Sequence, residues 1–284
     1  MGLELAQVRP VVKGIFQRAD AALGFGLSAV CWHGPEAELN DTVNTQPALF
    51  THSVAMYEMV MLSGEIDAPQ FMAGHSLGEI SALCAAGALT FEAGVKLTRE
   101  RGRLMKEVGG RQPGSMAAII GLERDTLQTA CDEASAQHQP GVVIANDNSP
   151  GQIVISGGKD AVASACALAK AKGAKRALPL AVSIASHSPL MLGMKDDFQR
   201  AVESVSLQPA AIPIVANTSA RPISHPDDIR AELTAQLTSP VRWVDSVRCM
   251  QAQGVSSFVE LGPKDVLCGL IKRIVDGVPT RAIG

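Results

Sequence analysis

The chain has 284 residues, of which 46% are hydrophobic, and a formal net charge of -3 at pH 7. This is enough apolar sequence for a large buried core, and the interspersed charges leave no basic stripe of the kind that binds nucleic acid. The six cysteines are scattered without a CxxC pair, which is typical of a reducing compartment. The first ten residues lack the basic and apolar regions of a secretion signal, and no uncharged apolar run reaches membrane-spanning length. We therefore expect a cytoplasmic protein with no nucleic-acid or membrane partner.

Two long helices are predicted in the first part of the chain. The pattern TQPALFTHSVAMYEMVML predicts a helix that begins with Thr45 as its N-cap, has Pro47 in its first turn and ends at Gly64. Thr90 opens the second helix, which runs through FEAGVKLTRERGRLMKEV and ends near Gly109.

Between these helices, residues 70–89 read QFMAGHSLGEISALCAAGAL and place a serine between an apolar run and a helical pattern. The GxSxG motif is typical of a nucleophile elbow, a sharp turn that lifts the Ser76 hydroxyl above a sheet edge. Gly74 and Gly78 would supply the room for this turn. The first backbone N–H groups of the following helix would then lie beside the hydroxyl, where they can bind an oxyanion. The alternative is that Ser76 is a helix N-cap, a position that serine often occupies.

Strand and helix patterns from Gly114 to Ile184 form a unit of their own. They read in order as strand SMAAIIGL, helix RDTLQTACDEASAQ, strand GVVIAN, strand QIVISG, helix KDAVASACALAKAKG and strand AKRALPLAVSI. The order β-α-β-β-α-β is that of a ferredoxin-like unit. We therefore predict a ferredoxin-like subdomain over residues 113–184, inserted into a larger domain formed by residues 1–112 and 185–284.

The larger domain resumes after this insertion. Ser188 and Pro189 are predicted to begin a helix, IPIVAN is predicted to be a strand, and VSSFVELGP a strand that leads into the helix KDVLCGLIKRIV. Because strand and helix patterns alternate, the expected fold class is α/β with a mostly parallel sheet.

A serine hydroxyl is a weak nucleophile at neutral pH and needs a base, most often histidine, within hydrogen-bond reach. His52 lies inside a predicted helix, and His75 adjoins the serine, where its side chain is expected to point away from the hydroxyl or to shape the turn. His187 lies where the subdomain rejoins the larger domain, a position typical of a cleft, and a helix N-terminus there would keep its imidazole neutral. A histidine satisfied by the local backbone is the alternative. The other three histidines lie in polar loops where a solvated role is favoured, and they are His33, His138 and His225.

A substrate carboxylate would need a receptor, and arginine suits this role because its guanidinium can bind both carboxylate oxygens. Arg99, Arg101 and Arg103 lie on the helix after the elbow helix. Residues two apart on a helix point in different directions, so at most one of them need face the site, and the spacing does not choose among them. The alternative is a solvated face with cations near a helix C-terminus.

Eight stretches, in order along the chain, carry a resemblance to a known family. They are NTQPALF, AGHSLGEISAL, RERGRLM, GSMAAIIGL, NSPGQIVISG, GAKRALPLAVSIASHSPLM, QLTSPVRW and ELGPKDVLCGLIKRIV. With them the chain resembles the malonyl-CoA:acyl-carrier-protein transacylase family over nearly its whole length. The resemblance implies an α/β-hydrolase-like core with a ferredoxin-like insertion, in agreement with the pattern of elements.

The resemblance also implies roles for the residues that match the family motifs. Ser76 in GHSLG would be the nucleophile that becomes malonylated, and His187 in ASHS would be its base. Arg101 in RERGRLM would pair with the free malonyl carboxylate. Gln236 in QLTSPVRW would orient the histidine through its main-chain carbonyl, so that no acidic third member is needed. The Leu77 backbone N–H would be an oxyanion donor.

The implied reaction belongs to fatty acid biosynthesis. Malonyl-CoA would acylate the serine, and the phosphopantetheine thiol of acyl carrier protein would then take the malonyl group in a ping-pong sequence, with His75 counted among the substrate-site residues. Neither a metal nor a bound cofactor is expected. The basic segment KAKGAKR, residues 170–176, could meet an acidic carrier protein, although lysines at a helix C-terminus also suit the helix dipole.

The resemblance is incomplete at the start of the chain. Family members begin with an apolar strand and a GQG loop that supplies a second oxyanion donor, but no GQG occurs here, and SPGQ at 149–152 belongs to the subdomain hairpin. Loss of one such donor costs about 2–4 kcal/mol of transition-state stabilisation. We expect the natural reading frame to extend upstream of Met1, with a truncated, weakly active or inactive paralogue as the alternative.

Three other functions share parts of this pattern. A serine hydrolase or thioesterase would use the same elbow but release free acid. A catalytically inactive module would bind carrier protein without becoming acylated. A trans-acting acyltransferase of polyketide synthesis carries the same motifs.

Overall fold

The computed structural model describes all 284 residues. Its thirteen α-helices are α1 (Leu3–Val8), α2 (Pro10–Leu23), α3 (Leu27–His33), α4 (Glu36–Asn40), α5 (Thr42–Ser63), α6 (Gly78–Ala85), α7 (Phe91–Arg111), α8 (Arg124–Gln137), α9 (Lys159–Ala171), α10 (Lys195–Glu203), α11 (Pro226–Gln236), α12 (Trp243–Ala252) and α13 (Val266–Ile274). Its eight strands are β1 (Gly114–Ile120), β2 (Val142–Ser149), β3 (Gln152–Gly158), β4 (Arg176–Pro179), β5 (Ile214–Val215), β6 (Pro222–Ile223), β7 (Phe258–Leu261) and β8 (Thr280–Ile283).

The largest core lies among helices. α5 packs between α2 and α7, and 37 buried residues around these helices form one continuous cluster. α5 buries residues on most of its circumference, among them Phe50, Val54 and Met56, which suits a helix enclosed by neighbours rather than one facing solvent. α5 precedes the elbow in the chain and α7 follows it, so the packing of these two helices sets the position of the site.

The start of α5 differs from the prediction. The helix begins at Thr42, because the carboxylate of Asp41 accepts the backbone N–H of Val43 at 3.1 Å and caps it. The hydroxyl of Thr45 instead donates to the carbonyl oxygen of Asp41 at 3.0 Å. Pro47 therefore lies inside the helix rather than at its first turn. The predicted end is correct, since Gly64 is the C-cap with φ of +65°.

The predicted insertion forms a four-stranded antiparallel sheet in the order β2-β3-β1-β4, with α8 and α9 packed on it. A separate core of 15 buried residues lies between the sheet and these helices. This is the strand order of a ferredoxin-like unit, and the predicted α/β fold class with a ferredoxin-like insertion is confirmed. The division of the chain at residues 113 and 184 stays a prediction.

The last strand of the insertion is shorter than predicted. β1 pairs with β4 from Ile120 and Arg176 to Ala117 and Pro179. Pro179 does not interrupt the ladder, because the next N–H, that of Leu180, still donates to the Met116 carbonyl at 2.9 Å. The Val182 N–H then bonds back to the Leu180 carbonyl at 2.8 Å, so the backbone turns locally and residues 180–184 are irregular.

The parallel part of the larger domain is small. The apolar run before the elbow makes one parallel bridge, between Met72 and Ile214, and the predicted strand IPIVAN is reduced to β5, which pairs with β6. Only Met72 pairs because the chain leaves the strand at Gly74 to enter the elbow. β7 and β8 form a second, parallel pair.

Two further features hold the elements around the site. The predicted helix at Pro189 is a 3-10 helix, Pro189–Met194, capped by the Ser188 hydroxyl and followed by α10. The subdomain sheet is bonded to the larger domain at Val241, whose N–H donates to Ala145 and whose carbonyl accepts from Asp147. None of the thirteen helices combines the length and the hydropathy that a membrane span requires.

Candidate active site

Ser76 lies in a sharp turn between Met72 and α6. Its φ is +52°, a left-handed conformation that non-glycine residues rarely adopt and that is found at strained functional turns. A Cβ on Gly74 would lie 1.9 Å from the carbonyl carbon of Gly78, so residue 74 must be glycine. Gly78, in contrast, has open space where a Cβ would be, and the sequence-based requirement for glycine there is wrong. The N-cap residue of α6 is Leu77, so the Ser76 hydroxyl is not used as a cap.

The Ser76 hydroxyl faces His187. Ser76 Oγ and His187 Nε2 are 2.8 Å apart, and His187 Nδ1 lies 2.8 Å from the main-chain oxygen of Gln236. A carbonyl oxygen only accepts, so Nδ1 carries the proton and Nε2 is free to accept the hydroxyl proton. Gln236 is the last residue of α11, where the helix leaves its final carbonyl groups without internal partners. That position explains why a main-chain oxygen is available to His187.

The imidazole of His187 is held neutral. It is buried, and burial together with the nearby charge of Arg101 lowers the pKa of His187 to about 3. A neutral imidazole beside a serine hydroxyl can act as a general base at neutral pH.

Of the three arginines in TRERGR, the structure brings only Arg101 to the serine. Arg101 is 3% exposed, and its Nη2 donates to Ser76 Oγ and to Gln236 Oε1, both at 3.0 Å. Its Nη1 donates to Gln46 Oε1 at 2.8 Å. Arg99 bonds to Asn44, and Arg103 pairs with two glutamates of its own helix.

No carboxylate forms a salt bridge with Arg101, and its Nε is buried without a hydrogen-bond partner. Burial lowers the pKa of Arg101 to about 10, so it remains protonated at neutral pH. A buried guanidinium with an unused donor is costly unless an anion joins it. The site can therefore accept an anionic group beside the serine.

A buried polar network behind these side chains was not identified from the sequence. Asn217 Oδ1 accepts the Ser76 backbone N–H at 2.7 Å, and both Asn217 and Gln236 donate to the carboxylate of Glu79. Burial and the neighbouring Glu232 raise the pKa of Glu79 well above its ordinary value, while the N–H donors and Arg101 oppose this shift. The available signal was a polar residue in an otherwise apolar stretch: Glu79 follows the GHSLG motif directly, and Asn217 ends IPIVAN.

The two remaining predicted site residues flank the serine. Leu77 follows Ser76 directly in the chain, and its backbone N–H donates to no group of the protein. His75 is turned away from the dyad: its Nε2 lies 2.8 Å from Asn148 Oδ1, and its ring packs against Trp243. Burial lowers the pKa of His75. Its contact with Asn148 joins the elbow to strand β2 of the subdomain.

Comparisons with known proteins agree with this geometry. A family model described as acyl transferase domain matches residues 1–282. The chain belongs to the acyl transferase family. Among curated relatives of this family, the malonyl CoA-acyl carrier protein transacylase of Escherichia coli K12 is 45% identical over 280 residues, covering 99% of this chain and 90% of the relative. That of Bacillus subtilis strain 168 is 42% identical over 283 residues, covering 100% of this chain and 88% of the relative.

Solved acyl transferases have the same fold. A 1.7 Å crystal structure of an acyl carrier protein S-malonyltransferase from Vibrio cholerae superposes with a TM-score of 0.96 at 42% identity, covering 100% of this chain and 92% of the other. A malonyl transacylase in complex with a type II polyketide synthase acyl carrier protein superposes with a TM-score of 0.95 at 42% identity, covering 100% and 91%.

Proposed function

We propose that this protein transfers the malonyl group of malonyl-CoA to the phosphopantetheine thiol of an acyl carrier protein, as an S-malonyltransferase of fatty acid biosynthesis. The observation that carries this proposal is the buried guanidinium of Arg101, 3.0 Å from Ser76 Oγ and without a carboxylate partner. A malonyl thioester is a substrate with a carbonyl for the serine and a free carboxylate for the arginine. The malonyl transacylases and malonyltransferases similar to this chain support the same substrate.

In the first half-reaction, Ser76 Oγ attacks the thioester carbon of malonyl-CoA while His187 Nε2 takes the hydroxyl proton. The Gln236 carbonyl, bonded to Nδ1, stabilises the imidazolium that forms. The Leu77 N–H donates to the oxygen that becomes negatively charged. The C–S bond then breaks, His187 returns the proton to the sulfur, and CoA leaves a malonyl ester on Ser76.

The second half-reaction repeats these steps with a different thiol. His187 takes the proton of the phosphopantetheine thiol, the thiolate attacks the serine ester, and the C–O bond breaks as the proton returns to Ser76. Arg101 holds the malonyl carboxylate through both steps. An acetyl group would leave the guanidinium desolvated and unpaired, so binding of acetyl is disfavoured.

The structural neighbour solved with a type II polyketide synthase carrier supports a second candidate, malonyl transfer in polyketide synthesis. The chemistry on Ser76 is the same, and only the carrier differs. A cytoplasmic location is part of the proposal, because six scattered free cysteines suit a reducing compartment.

The experiment is to incubate the purified chain with malonyl-CoA and record its intact mass, beside a Ser76→Ala variant. A malonyl adduct on the wild type that is missing in the variant supports the acyl-enzyme. The adduct should then move to carrier protein loaded with phosphopantetheine, and the fatty acid and polyketide types of carrier can be compared for rate. A folded chain without the adduct would overturn the proposal, and release of free malonate in place of transfer would identify a hydrolase.

A further inference from the structure

Glu79 lies one turn along the chain from Ser76 and makes no hydrogen bond to its hydroxyl. It is 1% exposed in the first turn of α6. Its Oε1 accepts the backbone N–H of Asn217 at 2.9 Å and Asn217 Nδ2 at 3.2 Å, and its Oε2 accepts Gln236 Nε2. All of its contacts are therefore N–H donors from two side-chain amides and one backbone group.

The same two amides contact the site through their oxygen atoms. Asn217 presents its oxygen to the Ser76 backbone N–H at 2.7 Å, and Gln236 presents its oxygen to Arg101 Nη2 at 3.0 Å. The amide nitrogens also bond inward, Asn217 Nδ2 to the Gly74 carbonyl at 2.7 Å and Gln236 Nε2 to the Ser76 carbonyl at 3.1 Å. The same two amides thus hold the elbow backbone, through the oxygen of Asn217 and both amide nitrogens, and hold Arg101 through the oxygen of Gln236.

An amide can be turned over so that its oxygen and nitrogen exchange places, and its shape does not choose between the two orientations. Groups that only accept do choose, because the amide must present its NH2 group to them. The Gly74 carbonyl and Glu79 act in this way on Asn217, and the Ser76 carbonyl and Glu79 act on Gln236. Glu79 acts as an acceptor although burial raises its pKa, since every hydrogen bond that it makes comes from an N–H group. The oxygens are then left facing Ser76 and Arg101. If Gln236 were turned over, its NH2 would face the Arg101 guanidinium, donor against donor.

We propose that Glu79 is a positioning residue that, together with the Gly74 and Ser76 carbonyls, fixes the direction of the Asn217 and Gln236 amides and so holds Arg101 and the Ser76 backbone in place for the malonyl group. This inference rests on the proposed function. It assigns malonyl selectivity partly to a residue that does not contact the substrate.

The test is Glu79→Gln, which keeps the size of the side chain and replaces one acceptor with a donor. The side-chain amide of either Gln236 or Asn217 must then exchange its oxygen and nitrogen positions or lose its hydrogen bond to residue 79. We expect kcat/KM for malonyl-CoA in Ser76 acylation to fall by about tenfold or more, as for loss of a hydrogen bond to a charged group. Because Arg101 is displaced, the preference for malonyl-CoA over acetyl-CoA should fall with it, mainly through a higher KM for malonyl-CoA.

The matched control is Glu232→Gln. Glu232 is also buried, at 7% exposed, but it accepts from Thr218 and has no hydrogen bond to the site. It should leave the malonyl-to-acetyl preference unchanged. Should Glu79→Gln not fold, Gln236→Leu serves as the second variant. It removes the amide that links Glu79 to Arg101 and keeps the main-chain oxygen that His187 uses. It too should lose malonyl preference.

Failure of the Glu79 assignment can be distinguished from failure of the proposed function. An active wild type whose Glu79→Gln variant keeps the malonyl preference would overturn the assignment of Glu79 alone, as would full preference in Gln236→Leu. If Glu79→Gln lowers kcat/KM equally for malonyl-CoA and acetyl-CoA, Glu79 has only a structural role, and this result would also overturn the assignment. A wild type that malonyl-CoA does not acylate would overturn the proposed function and this inference together.

Discussion

At the scale of single residues, the Ser76 hydroxyl lies between an imidazole and a guanidinium. Arg101 donates to Ser76 Oγ at 3.0 Å and His187 Nε2 lies 2.8 Å from it. The same positive charge disfavours a second positive charge on the neighbouring ring. Arg101 would thus serve twice, as a receptor for the substrate carboxylate and as one cause of the low pKa of its base.

Since burial and Arg101 lower the pKa of His187 to about 3, the rate of Ser76 acylation by malonyl-CoA should show no titration of the base between pH 5 and pH 8. In Arg101→Ala the pKa of His187 should rise, so that the acid limb moves to higher pH, whereas Arg103→Ala on the same helix should match the wild type. The measurement is the pre-steady-state rate of acylation across this range. A wild-type inflection near pH 6.5, the ordinary range of histidine, would contradict the prediction.

At the scale of elements, the position of Arg101 depends on how closely α7 approaches α5. A Cβ on Gly102 would lie 2.4 Å from the carbonyl oxygen of Thr42 at the start of α5. Both partners in that clash are backbone atoms or are fixed to backbone, so the helices would have to separate. Gly102 therefore permits the close approach of α7 to α5 on which the position of Arg101 depends.

Gly102→Ala should lower the free energy of unfolding by about 1–3 kcal/mol, the usual cost of overpacking a close contact. It should also slow malonylation by moving Arg101. Gly110→Ala is the control on the same helix, because a Cβ there meets nothing within 4 Å, and it should raise stability by about 0.5–1 kcal/mol. Urea denaturation measures both. A Gly102→Ala variant as stable as the wild type would contradict this interpretation of the contact.

The connection between α9 and β4 carries the basic segment KAKGAKR. Lys172 is paired with Glu133 at 2.9 Å, and the other three cations of the segment, Lys170, Lys175 and Arg176, are exposed without an ion pair. Lys175 and Arg176 lie at the start of β4. The chain then continues through exposed apolar side chains to His187, and these are Leu178, Leu180 and Val182. This arrangement suits an acidic partner with an apolar contact, as expected of the carrier protein.

The double variant Lys175→Glu/Arg176→Glu should raise KM for carrier protein by roughly tenfold, since opposite charges across an interface would become like charges. Acylation by malonyl-CoA should not change, and Lys13→Glu, an exposed cation on α2, is the control. Steady-state transfer assays at low and high salt measure the effect. If malonyl-CoA acylation weakens as much as transfer, the cluster binds CoA instead.

At the scale of the whole molecule, buried histidines make stability depend on pH. His52 lies in the core of α5 at 2% exposed, its Nδ1 has no hydrogen-bond partner, and burial lowers the pKa of His52 to about 4. In the unfolded chain its pKa is near 6.5, so the unfolded state binds a proton that the folded state does not. The free energy of unfolding therefore falls as pH falls from about 6.5 toward 4. His187 contributes in the same direction down to about pH 3.

A His52→Leu variant should lose one of these contributions. The free energy of unfolding of the wild type should fall more steeply than that of the variant between pH 6.5 and pH 4.5, with a difference in slope of up to about 1.4 kcal/mol per pH unit. Denaturant titrations at several pH values give both slopes, and Glu79 and His187 contribute equally to the two proteins. Parallel curves would show that His52 is not the neutral buried group described here.

Much of the fold could be predicted because its determinants are local. The helix predicted over RDTLQTACDEASAQ is α8 residue for residue, and the Gly64 end of α5 is marked by a single left-handed glycine. In these places the hydrophobic period and the cap lie within one or two turns of the residues they organise. Thr45 is not the cap, because Asp41, one turn earlier, provides a better acceptor for the first free N–H groups.

The fold class, the order of the subdomain elements and, through motifs, the residues expected at the site can be read from the order of amino acids. How these residues act together depends on the packing of distant segments. Ser76 meets His187 across 111 residues, and Arg101 meets Gln236 across 135. Packing brought Glu79 and Asn217 into the same network and left Arg99 and Arg103 outside it. The difference is one of range. Periodicity and capping depend on neighbours in the chain, whereas a buried polar network depends on which helices meet and on the donors and acceptors that must be satisfied where they meet.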